Sequence, residues 1–94
     1  MKLIIFVSSL RGNASDLAKG DMCKSVLASN YLTAKQLGIV MDQFNSDLVR
    51  LDVAKFAAPH VTDAMHAIGL SSKFRSSLLA SDFTKVMAAQ QVVH

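Results

Sequence analysis

Residues 30–59, NYLTAKQLGIVMDQFNSDLVRLDVAKFAAP, hold two helix openings separated by a short link, and this constrains the chain more than any other stretch. Thr33 offers a hydroxyl to the free amides of a first turn, and Gln36, at the third position beyond it, reaches back to the Thr33 amide, which makes a capping box. Leu37, Val40, Met41 and Phe44 follow at the i, i+3, i+4, i+7 spacing that lines one helical face. Ser46 and Asp47 then supply a second cap, with a carboxylate in the first turn where the helix dipole favours it. The second helix is expected to turn Leu48, Leu51, Ala54, Ala57 and Ala58 inward. Two helices joined so closely must pack on each other, and nothing in the stretch is arranged like an active site.

Composition extends this helical reading. The 94 residues suit one domain with a core of its own, and half of them are hydrophobic, with no Trp and a single Pro. Ala, Leu, Val and Met outweigh the β-branched and aromatic residues that sheets prefer. All seven acidic residues are Asp, a poor helix-interior residue and a good cap, so Asp16, Asp47, Asp63 and Asp82 read as first-turn groups. The net charge of +3 comes from bases spread without a run between Lys2 and Lys85, which lacks the clustered stripe of a nucleic-acid surface. One cysteine, Cys23, rules out an internal disulfide framework; among Met22, Val26 and Leu27 it reads as a buried, inert thiol.

The amino terminus, MKLIIFVSSLRG, has an apolar run too short to span a bilayer and cut off by Arg11, so it is read as part of the fold and not as a signal peptide. Two conformations compete for it. A first helix would put Leu3, Phe6, Val7 and Leu10 on one face. Alternatively, KLIIFVSSLRGNASDLA resembles the first strand and phosphate loop of flavodoxin-like reductases, although that fold needs further strands that the rest of the chain does not offer, and more glycine than Gly12.

An internal similarity organises the remainder. SDLAKGDMCK (15–24) and SDLVRLDVAK (46–55) coincide at Ser, Asp, Leu, a base, Asp and Lys, at a separation of 31. A shorter third copy is read at Ser81, Asp82, Phe83 and Lys85. A period near this length is that of a helix pair with its turn, a unit that buries its apolar face only by stacking on the next. In each box Ser15, Ser46 or Ser81 is expected to cap, the following Asp to sit in the first turn, and Asp21 with Lys24, or Asp52 with Lys55, to pair on the solvated side. Gly20, in the middle of the first box, suits a close helix crossing.

With these features in view, the run from Asn30 to Asp63 resembles the domain-of-unknown-function family DUF4476. The family's Asn-Tyr-Phe-Thr-x-x-Gln segment appears as NYLTAKQ. Its Phe, Asp and Lys-Leu appear as FNSDLVRL, followed by Ala54-Lys55, Pro59 and Val61-Thr62-Asp63. Leu32 replaces the usual aromatic, Arg50 the usual Lys, and KFRSSLLASDF stands where the family shows Phe-x-Phe followed by Ser and charged residues. The likeness extends more weakly from about Phe6 to Met87. It implies a compact all-α domain with no assigned reaction, and the larger or exported chains that carry many relatives suggest a module for contact.

Beyond Pro59, which ends the second helix near Ala58, Thr62 or Asp63 is expected to start a short helix bearing Met65 and Ile68, with Ala64 as a further candidate. Gly69 would close it in a left-handed conformation, and Ser71 or Ser72 would open the next helix, with Phe74 and Leu78 one turn apart. His60, Asp63 and His66 are the one set with a metal-like pattern, but they fan too widely around a helix to converge, so no metal and no cofactor are expected. Tyr31 reads as a staple across the Thr33 turn.

The sequence therefore predicts an all-α single domain over 1–94, with six or seven short helices stacked as helix-turn-helix units at about 3–33, 34–69 and 70–94. Its structural caps are Ser15, Asp16, Thr33, Gln36, Ser46, Asp47, Asp63, Ser81 and Asp82. The expected function is non-catalytic protein binding, with a small helical ligand carrier or enzyme as the alternative and a flavodoxin-like fragment behind both.

Overall fold

The computed structural model describes Val7, Ser8, Leu10, Arg11 and residues 15–90. It is all-α: among the described residues there are five α-helices, two 3-10 segments and no strand, which corrects the expected six or seven helices. The α-helices are α1 (Asp16–Leu27), α2 (Ala34–Met41), α3 (Asp47–Ala57), α4 (Ala64–Ala67) and α5 (Ser77–Ala89), and the 3-10 segments cover Ala58–His60 and Ile68–Lys73. Val7, Ser8, Leu10 and Arg11 are helical, with Val7 and Leu10 buried. The flavodoxin-like strand was expected over residues that, Val7 apart, lie outside those described.

Hydroxyls open the four longer helices. Ser15 accepts from the Leu17 and Ala18 amides, and Ser46 from Val49. Thr33 accepts from Gln36 at 3.2 Å while the Gln36 side chain accepts from the Thr33 amide at 2.9 Å, completing the capping box. The last long helix is capped by Ser76, whose hydroxyl accepts from Leu79.

That cap corrects the third copy of the internal similarity. Ser81 and Asp82 lie inside α5, not at its start. With Ser76 aligned to Ser15 and Ser46, the spacing Ser-x-Leu-x-x-x-Asp-x-x-Lys is met three times: Ser15, Leu17, Asp21, Lys24; Ser46, Leu48, Asp52, Lys55; and Ser76, Leu78, Asp82, Lys85. Asp82 thus matches Asp21 and Asp52, one turn further into the helix, and the residue matching Asp16 and Asp47 is Ser77. The expected register placed Ser81-Asp82 on the Ser-Asp pair because the two dipeptides are identical, whereas the chain starts its helix at the earlier serine pair.

Leu27, Leu37, Val40, Met41, Val53, Phe83 and Met87 meet in one core with Leu10 and Cys23, all essentially inaccessible. Phe74, expected inside a helix, instead precedes α5 and packs on Phe83, ring centroids 5.3 Å apart. Pro59 sits in the 3-10 segment that follows α3, where its missing amide costs no helical bond. Behind it a single bridge joins Leu32 to Val61, with the Leu32 amide donating to the His60 carbonyl at 3.0 Å and the Thr62 amide to the Leu32 carbonyl at 2.9 Å. Gly69 lies in the second 3-10 segment, and no described glycine has a positive φ, so the left-handed closure expected there does not occur. Leu48, expected inside, is exposed, as are Leu78 and Met65; the short α4 buries Ala64 and Ala67.

Arg50 is the charged residue sealed into this core, at 6% exposure. Its Nε donates to the Met41 carbonyl at 3.0 Å and a terminal nitrogen donates to the Phe44 carbonyl, so the guanidinium closes the C-terminal end of α2, where the macrodipole favours a cation. Its other terminal nitrogen reaches Asp47 at 2.5 Å, and the Phe74 ring lies 6.0 Å away. Lys19 donates to the neighbouring Gln43 carbonyl at 2.8 Å, so two helices contribute cations to one helix end.

Two outcomes follow from these placements. Ser76→Ala should destabilise the fold by about 0.5–2 kcal/mol in urea unfolding, while Ser81→Ala should stay within about 0.5 kcal/mol of the parent; equal losses would put the helix start elsewhere. Arg50→Ala should cost about 3–5 kcal/mol by leaving carbonyls and a carboxylate without their partner, and Arg50→Lys should recover only part, lacking the fork that meets several acceptors at once.

Candidate interaction surface

The surface begins with a carboxylate. Asp16, first residue of α1, accepts from the Ser46 amide at 2.7 Å and the Asn45 amide at 3.1 Å, the two backbone donors at the opening of α3. This contact lays the start of α3 beside the start of α1. Further along, the position of Gly20 faces Val49 and Val53, and Lys24 reaches Asp52 at 2.5 Å, so the two helices run in the same direction. The expected pairing of Asp21 with Lys24 within α1 gives way to this bridge between helices, because the neighbouring helix presents Asp52 closer to the ammonium.

The second residues of the two helices are then Leu17 and Leu48, 74% and 70% exposed, on either side of an open groove of about 170 Å³. Gly20, Asp21, Lys24, Val49 and Asp52 complete its lining. A Cβ at residue 20 would lie 3.5 Å from Val49 and 3.7 Å from Val53, ordinary contact distances, so the glycine leaves a hollow one methyl deep. The other copies carry Leu51 and Ser81 at the matching position. Leu48, Asp52 and Phe56 fall at successive fourth positions of α3 and share a stripe. Phe56 stacks on His60, centroids 6.2 Å apart and planes 13° from parallel, and the exposed Tyr31 ring lies 5.9 Å from the same imidazole. Tyr31 is therefore an outward-facing ring beside His60, not a buried staple.

The Asp16 contact has a counterpart. Asp47, first residue of α3, accepts from the Ser76 amide at 3.0 Å and the Arg75 amide at 2.9 Å, at the opening of α5. These amides, Ser76 foremost, and the neighbouring Arg50 guanidinium hold its carboxyl below the usual carboxylate range. Asp63 extends the theme in another direction: its side chain caps no backbone amide of its own helix and instead accepts from the Ala34 amide at 2.7 Å, adding a donor's partner at the first turn of α2. That bond, with a contribution from His66, lowers its carboxyl as well.

His60, Asp63 and His66 do not converge. His66 Nδ1 lies 3.3 Å from Asp63, whereas His60 is engaged with Phe56 and Tyr31, and among the described residues no group of three or more metal-binding side chains forms. Cys23 is fully buried, and desolvation pushes its thiol up to about 12, which leaves it protonated and unreactive at neutral pH. Among the described residues, no helix is long and apolar enough to cross a membrane.

What the sequence reading missed is that Leu17, Leu48 and Leu78 face outward. What they share in the sequence is their place two residues after the capping serine, in each of the three segments opening at Ser15, Ser46 and Ser76.

The family model described as a domain of unknown function, DUF4476, matches residues 5–89. No curated protein and no solved structure matches the chain.

A group with a lowered pKa stabilises the fold fully above its unfolded value, here 3.8, and loses that contribution as pH falls through the folded value. Thermal melts between about pH 2 and pH 6 should therefore show the parent losing stability steeply below about pH 4. Asp47→Asn should be less stable than the parent at neutral pH and show a shallower acid slope; an unchanged slope would place the titrating group elsewhere.

Proposed function

The chain belongs to the DUF4476 family, and we propose that it works as a non-catalytic helical module that binds another protein through the face shared by α1 and α3. The observation carrying this reading is the pair Leu17 and Leu48, largely exposed and set across one open groove. Single exposed leucines are ordinary on a protein surface, but apolar side chains that line a common concavity and continue into Phe56 and Tyr31 form the kind of patch that partners cover. The mixture also suits an interface: aromatic and aliphatic anchors with charged groups between them. The groove is shallow and open, which favours a partner's surface over an enclosed metabolite.

The same reading treats the segments opening at Ser15, Ser46 and Ser76 as three copies of one unit within a single domain, each helix handing a carboxylate to the opening of the next until Ser77 ends the series. The shared spacing and the matched Asp16 and Asp47 contacts support it. Such an array presents equivalent residues along one face, as stacked helical units do when they bind extended partners.

The test uses the folded chain as bait in native extract, beside the double variant Leu17→Ser with Leu48→Ser. Both positions are exposed, so the variant should melt within about 2 °C of the parent. A partner retained by the parent and reduced at least about tenfold on the variant supports the reading. Equal retention by both would remove this face from the interaction.

A further inference from the structure

We propose that the occupant of the groove is an amphipathic helix of the partner protein, carrying two apolar side chains two turns apart and a lysine or arginine between them; this rests on the reading of the chain as a protein-binding module. The spacing comes from α3. Leu48 and Phe56 are eight residues apart on one stripe, about 12 Å at 1.5 Å per residue, close to the rise of two helical turns. A partner helix lying along α3 brings side chains two turns apart to both anchors, the first entering the hollow over Gly20 and the second meeting the Phe56 ring beside Tyr31 and His60. An added strand would find no sheet edge among the described residues to pair with.

The charge follows from what lies between the anchors. Asp21 and Asp52 face Lys24 there, and Lys24 is already held by Asp52. Asp21 is exposed and takes part in no ion pair among the described residues. The middle of the groove therefore carries one more negative than positive charge on a molecule whose overall charge is +3. A base on the partner, placed one turn from each apolar side chain, meets Asp21 directly, while an acid there meets two carboxylates and is repelled.

The experiment titrates the isotopically labelled full chain with an alanine-based helical peptide bearing two leucines two turns apart and lysines between them. A matched peptide carries glutamates in place of the lysines. Amide shifts confined to Leu17, Gly20, Asp21, Leu48 and Phe56 are expected. The lysine peptide should bind at least about tenfold more tightly than the glutamate peptide, and the difference should shrink as salt is raised. Gly20→Leu fills the hollow and should abolish the shifts; Leu48→Ser, at an exposed position, repeats the test without touching the core. Asp21→Asn should narrow the gap between the two peptides.

Equal affinity of the two peptides, shifts elsewhere, or no shifts at millimolar peptide would each overturn the proposal. If the native partner still depends on Leu17 and Leu48 while the peptides fail to discriminate, the assignment of a basic helix falls and the protein-binding reading stands.

Discussion

Two aspartates at the first positions of two helices hold this fold in order. A helix opening leaves backbone amides without partners, and the residue just before the cap is no better served. Asp16 takes two such amides at the opening of α3 and Asp47 two at the opening of α5, so each carboxylate serves its own helix through the dipole and another through direct bonds. The result is that α3 begins beside α1, and α5 beside α3. Everything on the outer face inherits its register from that arrangement, including the opposition of Leu17 and Leu48 and the reach of Lys24 to Asp52.

The other end of the intervening helix is closed by cations. Arg50 and Lys19 satisfy carbonyls at the end of α2 and the turn beyond it, and Arg50 returns a bond to Asp47. Asp47 is therefore shared between the opening of α5 and the closure of α2, which links three helices through one carboxylate. Asp63 adds a fourth by accepting from the Ala34 amide at the opposite end of α2. The charged groups thus stitch the short elements together, while Leu37, Val53, Phe83 and Met87 supply the apolar burial that small helices cannot provide alone.

How much of this could be read from the residues depended on range. Thr33 with Gln36, and Ser46 with Asp47, were legible because a cap and its partner lie within one turn. The all-α class followed from composition and spacing. The destinations of the carboxylates were not legible, since Asp16 to Ser46 and Asp63 to Ala34 are contacts across about thirty positions of chain that no local pattern records. The identical dipeptides Ser46-Asp47 and Ser81-Asp82 drew the third copy out of register, although Leu78, Asp82 and Lys85 already carried the correct spacing from Ser76. The outward turn of Leu48 was hidden for a related reason: hydrophobicity alone cannot distinguish a core leucine from one displayed on a first turn.

Amide hydrogen exchange tests the role of the paired carboxylates most directly. In Asp47→Ala, the Arg75 and Ser76 amides should lose protection while Asn45 and Ser46 keep theirs, and Asp16→Ala should reverse the pattern. Unchanged protection at all four amides, or a uniform loss throughout the chain, would contradict the claim that each carboxylate holds the opening of its successor.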